Sequence, residues 1–298
     1  MKILAGSANP ILAKNIANQL GTSLVNCEIS YFSNGEKKIQ IMDEVKGENV
    51  AIVQSFVDPV DERVIETLLM IDALERMGVR HISLVIPWMG YSLQDKVFQP
   101  GEPISAKVIA KLISNSYVKR VFLMDLHNDS IPGFFDIPTH YLSASSVFEE
   151  YLKEKIDLNQ AVIVSPDFGG LKRARTFAKK LGLPLANIDK TRDLNTGEVT
   201  AVALHGEVKG KDAIVLDDVI VSGSTVVEVA DCLKKAQAKQ VLFMASHGLL
   251  TKDAQQKIED SLIDKVVFAN TIEHQSLTSK HQLLDVSEIF ANQLLNWK

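Results

Sequence analysis

The sequence predicts an α/β fold class: two tandem units, each a mainly parallel sheet flanked by helices. Three observations carry that expectation. Short apolar runs, Ala161–Ser165 and Gln240–Ser246 among them, read as strands buried on both faces. They alternate with longer segments at helical spacing, the signature of parallel βαβ units. The pattern then restarts past Ser143, where a strand, an Asp-Phe-Gly-Gly turn and a basic helix at Ala161–Lys180 loosely echo a unit of the first half. The boundary is expected near Ala144, giving domains 1–143 and 144–298.

Length and composition narrow the function. At 298 residues and 46% hydrophobic, the chain can bury a sizeable core. Its formal charge of −5 argues against a nucleic-acid or anionic-membrane partner, so local basic clusters read as sites for small anions. Cys27 and Cys232 are far apart and form no Cys-x-x-Cys, so they read as small apolar residues in a reducing compartment. The start, Met1–Gly6, has too short an apolar run for a signal peptide. No apolar run approaches the ~20 residues of a membrane helix. A soluble, cytoplasmic protein is expected.

In order, Lys2–Ala5 is a strand and Asn9–Leu20 a helix. Val25–Tyr31 is a strand delivering Phe32-Ser33-Asn34-Gly35-Glu36. Asn-Gly is a strong hairpin signal, yet a turn carrying an aromatic, an amide and a carboxylate can also stack a base and bond its edge. Asn49–Gln54 is a buried strand. Val60–Met77 is a helix with an apolar stripe at Val64, Leu68, Ile71, Leu74 and Met77. After the strand His81–Pro87, the polar segment Trp88–Gly101 contains Tyr91-Ser92-Leu93-Gln94-Asp95-Lys96. Long loops in small domains are usually functional or disordered. Ile104–Asn115 is a helix with Lys107 toward solvent. Strand Arg120–Met124 ends in Asp125-Leu126-His127-Asn128. A His two residues beyond an Asp at a strand's carboxyl end can present both groups to one cation.

The first half closes with strand His140–Ser143, and helix Val147–Glu154 follows. Ala161–Ser165 leads into Pro166-Asp167-Phe168-Gly169-Gly170 and the helix Lys172–Lys180. After strand Leu185–Asp189, Lys190 and Arg192 share one face if their segment is extended, as suits a segment that closes over substrate. Val202–Val208 is a strand, and Lys209-Gly210-Lys211 a tight turn. The apolar run Ala213–Leu216 then ends in Asp217-Asp218, followed by Val219-Ile220-Val221-Ser222-Gly223-Ser224-Thr225 and a helical pattern. Ligands of open α/β sheets bind outside the carboxyl ends of the strands. The turn's backbone N–H groups and the helix dipole favour a phosphate. Asp217 and Asp218 would repel that phosphate, but paired acceptors suit sugar hydroxyls, directly or through a cation. The stretch asks for a phosphorylated sugar. Gln240–Ser246 is a further strand ending at His247, which reads as structural or peripheral to the site. Lys265–Asn270 is a last buried strand, Leu283–Val286 a possible edge partner, and Ser287–Leu295 the terminal helix.

The stretch Asp217–Thr225 resembles the phosphoribosyl-diphosphate motif of the phosphoribosyltransferase superfamily. Within that superfamily, motifs in the right order from Gly6 to Thr271 make the chain most similar to the ribose-phosphate diphosphokinases, or phosphoribosyl-diphosphate synthetases. The resemblance implies two phosphoribosyltransferase-type domains, with the last helix packed back on the first. It implies that Phe32, Asn34 and Glu36 form an adenine loop, with Asn34 where Asp is usual. Gln94 and Asp95 would contact ATP, with Leu93 in place of an Arg. A lost guanidinium contact is worth ~1.5–3 kcal/mol, part of which Lys96 could supply. His127 and Asp167 would bind Mg2+, with Asp125 and Asp136 as weaker candidates, and Phe168 stands where His is usual. Lys190 and Arg192 would be catalytic. Val221, Ser222, Gly223, Ser224 and Thr225 would cradle the 5-phosphate of ribose 5-phosphate, and Asp217 and Asp218 would hold its hydroxyls. Val221 and Ser222 stand where Asp and Thr are common, but the backbone N–H groups are unchanged.

The implied reaction moves an intact diphosphoryl group. The 1-hydroxyl of ribose 5-phosphate attacks the β-phosphorus of ATP, and AMP leaves. The resemblance also implies a homo-oligomer built on a dimer unit, with a hexamer as its larger form. No Walker A sequence is present, which argues against a P-loop kinase. Two alternatives compete. A phosphoribosyltransferase consuming phosphoribosyl diphosphate would share Asp217–Thr225 but would not need the Phe32 and Gln94 loops or the tandem half. A non-catalytic regulatory homologue would account for Leu93, Phe168 and Val221, against which stand Lys190, Arg192, His127 and the acidic pair.

Overall fold

The structure, a computed structural model, describes residues 1–192 and 199–297, with the side chains from 190 to 202 outside that description. The chain forms two units: Met1–Ser143 with Asn270–Glu273 and the segment from Asp285 onward, and Ala144–Ala269 with His274–Leu284.

The first unit contains β1 (Lys2–Ala5), α1 (Pro10–Gln19), β2 (Cys27–Tyr31), β3 (Lys37–Ile41), β4 (Asn49–Val53), α2 (Val60–Arg76), β5 (His81–Ile86), α3 (Ser105–Ser114), β6 (Val118–Met124) and β7 (Thr139–Leu142). Its main sheet has the order β1-β4-β5-β6-β7, and every pairing is parallel. Strands β4 to β6 are mainly apolar because helices cover both faces of such a sheet. Helix α1 starts at Pro10, whose missing N–H costs nothing there, and the Asn9 side chain accepts from the Leu12 amide at 3.1 Å. Helix α2 carries Asp61 and Glu62 in its first turn, where the helix dipole favours acids. It buries Val64, Met70, Ile71 and Leu74 in the core.

Strands β2 and β3 form a separate antiparallel hairpin with Tyr31 opposite Lys37 and Cys27 opposite Ile41. One face of it, Cys27, Ile29, Ile39 and Ile41, packs on the unit's core. The turn was expected from the sequence but β3 was not, because a lysine occupies the first inward position of Lys37–Ile41 and hides the alternation.

The second unit contains α4 (Ser145–Lys155), β8 (Ala161–Ser165), α5 (Leu171–Leu181), β9 (Leu185–Arg192), β10 (Val199–His205), β11 (Asp212–Ile220), α6 (Ser224–Lys235), β12 (Gln240–Gly248), α7 (Ala254–Asp260), β13 (Lys265–Ala269) and β14 (His281–Leu284). The sheet order is β10-β9-β8-β11-β12-β13-β14, antiparallel only between β9 and β10. Strand β9 runs past Asp189 to Arg192, and β10 begins at Val199 rather than Val202, because the two pair along their length. Strand β14 lies two residues earlier than expected, and α7 was missed because seven residues are too few to show a helical period. The last helix, α8 (Ser287–Leu295), belongs to the first unit and lies against α1, where Asn15 donates to Asp285 at 3.1 Å. Among the described residues no helix is long and apolar enough to cross a membrane.

Candidate active site

The second unit holds the acidic pair and the turn. Strand β11 lies in the middle of its sheet between β8 and β12. The strand does not stop at Leu216 as the sequence suggests but pairs with β12 as far as Ile220, so Asp217, half-buried, and Asp218, buried, lie within its last residues. Asp218 is 6% exposed and pairs with Arg173 of α5 at 3.2 Å. Asp217 accepts from the Asp218 amide at 2.9 Å. Burial, and then the negative charges of Asp218 and Asp167, push the Asp217 carboxyl well above the ordinary carboxylate range. Three carboxylates thus act on one corner with Arg173 as a counter-ion. Such a corner accepts hydroxyl donors or a cation readily.

Beyond Ile220 the chain is tied down before it turns. The Leu249 amide donates to the Ile220 carbonyl at 2.8 Å, and the Thr251 amide to the Val221 carbonyl at 2.9 Å. Gly223 then takes a left-handed φ of 76° and caps α6. A Cβ at that position would meet the Ala254 carbonyl oxygen at 3.2 Å, so both the backbone angle and the space call for glycine. No side chain caps α6, and the first amides of a helix have no partner within it. The turn Ser222–Thr225 therefore offers backbone N–H groups and a positive dipole end to an anion. Ser222 donates to the Ser224 hydroxyl at 3.2 Å, and Val221 is exposed.

Asp167 follows β8 in the same unit and is exposed. Its side chain accepts from the Gly170 amide at 2.9 Å and its carbonyl from Ser165 at 2.7 Å, which fixes the turn into α5. Phe168 beside it is 61% exposed. The backbones of Lys190 and Arg192 belong to β9, while their side chains lie outside the described residues.

In the first unit, Phe32, Asn34 and Glu36 sit exposed at the tip of the β2–β3 hairpin. The tip is closed by the Phe32 amide on the Glu36 carbonyl at 2.8 Å, and the Asn34 side chain accepts from the Glu36 amide at 3.2 Å. Gln94 and Asp95 lie in the loop after β5. The Gln94 side-chain oxygen accepts from Ser105 and its carbonyl from the Ala106 amide at 3.2 Å, so Gln94 ties the loop to the start of α3. Asp95 accepts from Asn128, next to His127. His127 is exposed beyond the carboxyl end of β6, whereas Asp125 is buried at a left-handed φ of 36°. Exposure favours His127 over Asp125 as a group that reaches a ligand. Asp136 is exposed on the far side of the following turn, its amide donating to Ser114 at 3.0 Å.

Sequence reasoning missed Arg173 and Tyr91. Arg173 sits in a basic helix where any of several cations could have faced Asp218. Tyr91, at a left-handed φ of 66°, donates to Asp61 of α2 and anchors the loop of Gln94 and Asp95.

Comparison with known proteins supplies the family context. A family model described as the N-terminal domain of ribose phosphate pyrophosphokinase matches residues 1–116, and one described as a phosphoribosyl synthetase-associated domain matches residues 192–296. A ribose-phosphate pyrophosphokinase of Thermotoga maritima is 40% identical over 298 residues, covering 99% of this chain and 94% of that protein. One of Wolinella succinogenes is 42% identical over 291 residues, covering 97% and 93%. The crystal structure of phosphoribosylpyrophosphate synthetase from Mycobacterium smegmatis superposes with a TM-score of 0.91 at 32% identity, covering 99% of this chain and 97% of that one.

Proposed function

Since this chain belongs to the ribose-phosphate pyrophosphokinase family, we propose that it transfers the diphosphoryl group of ATP to the 1-hydroxyl of ribose 5-phosphate, giving phosphoribosyl diphosphate and AMP. The observation that carries this reading is the end of β11. An acidic pair, Asp218 buried and Asp217 half-buried, stands there ahead of a glycine-turned helix N-terminus, which suits the hydroxyls and the phosphate of one sugar phosphate. The motifs at Phe32–Glu36 and Gln94–Asp95 favour the synthetase over a phosphoribosyltransferase, and likeness along nearly the whole chain to proteins named for the activity favours it over a non-catalytic homologue.

The amides of Ser222 to Thr225 hold the 5-phosphate, and Asp217 accepts hydrogen bonds from the ribose hydroxyls. Arg173 pairs with Asp218 at 3.2 Å and holds its carboxylate in place. Phe32 stacks on the adenine ring, Asn34 and Glu36 bond its edge, and Asp95 contacts the nucleotide. Gln94 contributes through its place in the loop. Lys190 and Arg192 neutralise charge that develops on the β-phosphoryl group, the largest contribution available in a reaction that needs positioning rather than covalent catalysis.

Mg2+ is the expected metal. It keeps several waters and takes one or two carboxylates plus substrate phosphates. His127 in the first unit and Asp167 in the second are each candidate ligands, and Mg2+ when bound would supply charge to the triphosphate oxygens. Self-association as a homo-oligomer, on a dimer unit and up to a hexamer, completes the reading. Apolar pairs left exposed on α2 (Ile65, Leu69) and α3 (Val108, Leu112) supply surface for it. Two free cysteines and a net charge of −5 suit the cytoplasm.

A phosphorus NMR time course with ATP, ribose 5-phosphate and Mg2+, each omitted in turn, tests the proposal. AMP and a sugar-linked diphosphate should appear only when all three are present. Nucleotide binding without turnover would overturn it in favour of the regulatory homologue.

A further inference from the structure

The hairpin β2–β3 presents the proposed adenine loop, yet among the described residues no backbone ladder joins it to the main sheet of its unit. Something else must set its position and its register. Along β3 the residues Lys37, Ile39 and Ile41 turn inward while Lys38 and Gln40 face solvent. Lysine at an inward strand position is costly unless paired. The Lys37 side chain is 5% exposed and reaches Oε2 of Glu66 on α2 at 2.6 Å, and Glu66 is 0% exposed. Glu66 also accepts from the Ser7 amide at 2.8 Å, from the Ser7 hydroxyl at 2.6 Å and 2.7 Å, and from Gln54 Nε2 at 2.6 Å. One carboxylate thus joins the loop after β1, the end of β4, helix α2 and the hairpin.

The pair lies at the loop end of the hairpin. Lys37 stands opposite Tyr31, the residue before Phe32, and its ammonium lies 5.2 Å from the Tyr31 ring centre. Tyr31 in turn donates to Glu62, one turn before Glu66, at 3.0 Å. The groups hold the charged forms. Burial alone would raise the Glu66 carboxyl, but hydrogen bonds from Lys37 and Ser7 hold it below its ordinary value. Burial alone would lower the Lys37 ammonium, but the bond to Glu66 holds it above.

A slip of one residue along β3 would turn Lys38 inward and send Ile39 and Ile41 out. The apolar residues oppose that slip only by burial, whereas Lys37 opposes it through directed contacts to Glu66 at 2.6 Å and to Glu62 at 3.5 Å. Buried ion pairs are best attested in this role, as devices of register rather than of stability.

We propose that Lys37 and Glu66 are positioning residues for the nucleotide: their buried ion pair sets the register of the β2–β3 hairpin and so holds Phe32, Asn34 and Glu36 ready for adenine. The inference rests on the proposed function, because it assigns the benefit to ATP. Neither residue touches the reacting atoms.

The test is steady-state kinetics with ATP and ribose 5-phosphate varied separately. Lys37→Met should raise the KM for ATP at least tenfold, with the KM for ribose 5-phosphate and kcat at saturation within about twofold. Lys37→Arg should restore most of the loss. Lys37→Met leaves the buried Glu66 with the more distant Arg63 guanidinium, at 3.6 Å, as its cation, so the double variant K37M/E66Q serves if the single one does not fold. Its Glu66→Gln change keeps an acceptor for Ser7 and Gln54 but removes the charge. The double variant too should show a raised KM for ATP alone. A folded double variant with the wild-type KM for ATP would overturn the inference and leave the proposed function standing. Equal rises in both KM values would overturn it as well, since they would mark a general loss of structure. A wild-type protein that makes no phosphoribosyl diphosphate would instead remove the proposed function, and the inference with it.

Discussion

Gly223→Ala separates the phosphate cradle from an ordinary helix start. Two costs can be read from the structure. The residue sits at φ 76°, and holding an L-residue in the left-handed region costs about 1–2 kcal/mol. The new methyl would lie 3.2 Å from the Ala254 carbonyl oxygen, 3.4 Å from Ile258 Cγ1 and 3.5 Å from Ala254 Cα. Two of these atoms are backbone at the start of α7, so relief requires that helix or the turn to move by a few tenths of an ångström, at roughly 1 kcal/mol. A sum of about 2–3 kcal/mol shifts the melting temperature by roughly 4–12 °C for a unit of this size. The turn also aims the first amides of α6. Misaiming one amide forfeits a bond to a charged group worth about 1.5–3 kcal/mol, or roughly a tenfold to hundredfold rise in the KM for ribose 5-phosphate. The KM for ATP should change little. Calorimetry and steady-state kinetics read the two effects. Asn tolerates the left-handed region better than Ala, so Gly223→Asn should recover part of the stability but not the clearance from Ala254. A Gly223→Ala enzyme with unchanged melting temperature and unchanged KM for ribose 5-phosphate would refute the reasoning about both angle and space.

Other outcomes are expected. Arg173→Met leaves Asp218 buried without its 3.2 Å partner and should weaken ribose 5-phosphate binding about tenfold by calorimetric titration, with a loss of roughly 1–3 kcal/mol in stability. Lys190→Ala should lower kcat by about 10²–10³-fold while the KM for ribose 5-phosphate stays within threefold; unchanged turnover would remove the catalytic assignment. Acid should destabilise the protein through His274. Its pKa is lowered to about 4, first by burial and then by the neighbouring His281. A lowered histidine pKa favours the neutral form in the fold, so stability is complete above the unfolded value near 6.5 and falls as pH drops toward 4. Between pH 7 and 5 the loss should be roughly 1–2 kcal/mol after allowance for partial exposure. Urea midpoints at the two pH values, in the native protein and in His274→Gln, should differ less in the variant.

Much of the fold was legible because its signals are local. Apolar runs, helical spacing and the restart past Ser143 mark the alternation of strand and helix. The acidic pair, the Ser-Gly-Ser-Thr turn and the helix after it form one continuous stretch, so its chemistry could be read before any folding. The hairpin turn at Asn34-Gly35 was equally plain, but β3 was not, because Lys37 breaks the apolar alternation that marks a half-buried strand. Helix α7 was too short to show a period.

What the sequence by itself determined is therefore the list of groups and the local frame that carries them: β11, its acids, its glycine turn, and two polar loops in the first half. Only the tertiary structure decided which groups meet. It pairs Asp218 with Arg173, engages Gln94 with Ser105, ties Tyr91 to Asp61, and brings Lys37 and Ser7 onto one buried Glu66. The physical reason is the range of each interaction. Propensity and periodicity act over a few residues along the chain, so they can be read from it. Partners distant in sequence are chosen by strand register and by the cost of burying a charge alone, and those follow only when the whole unit has folded.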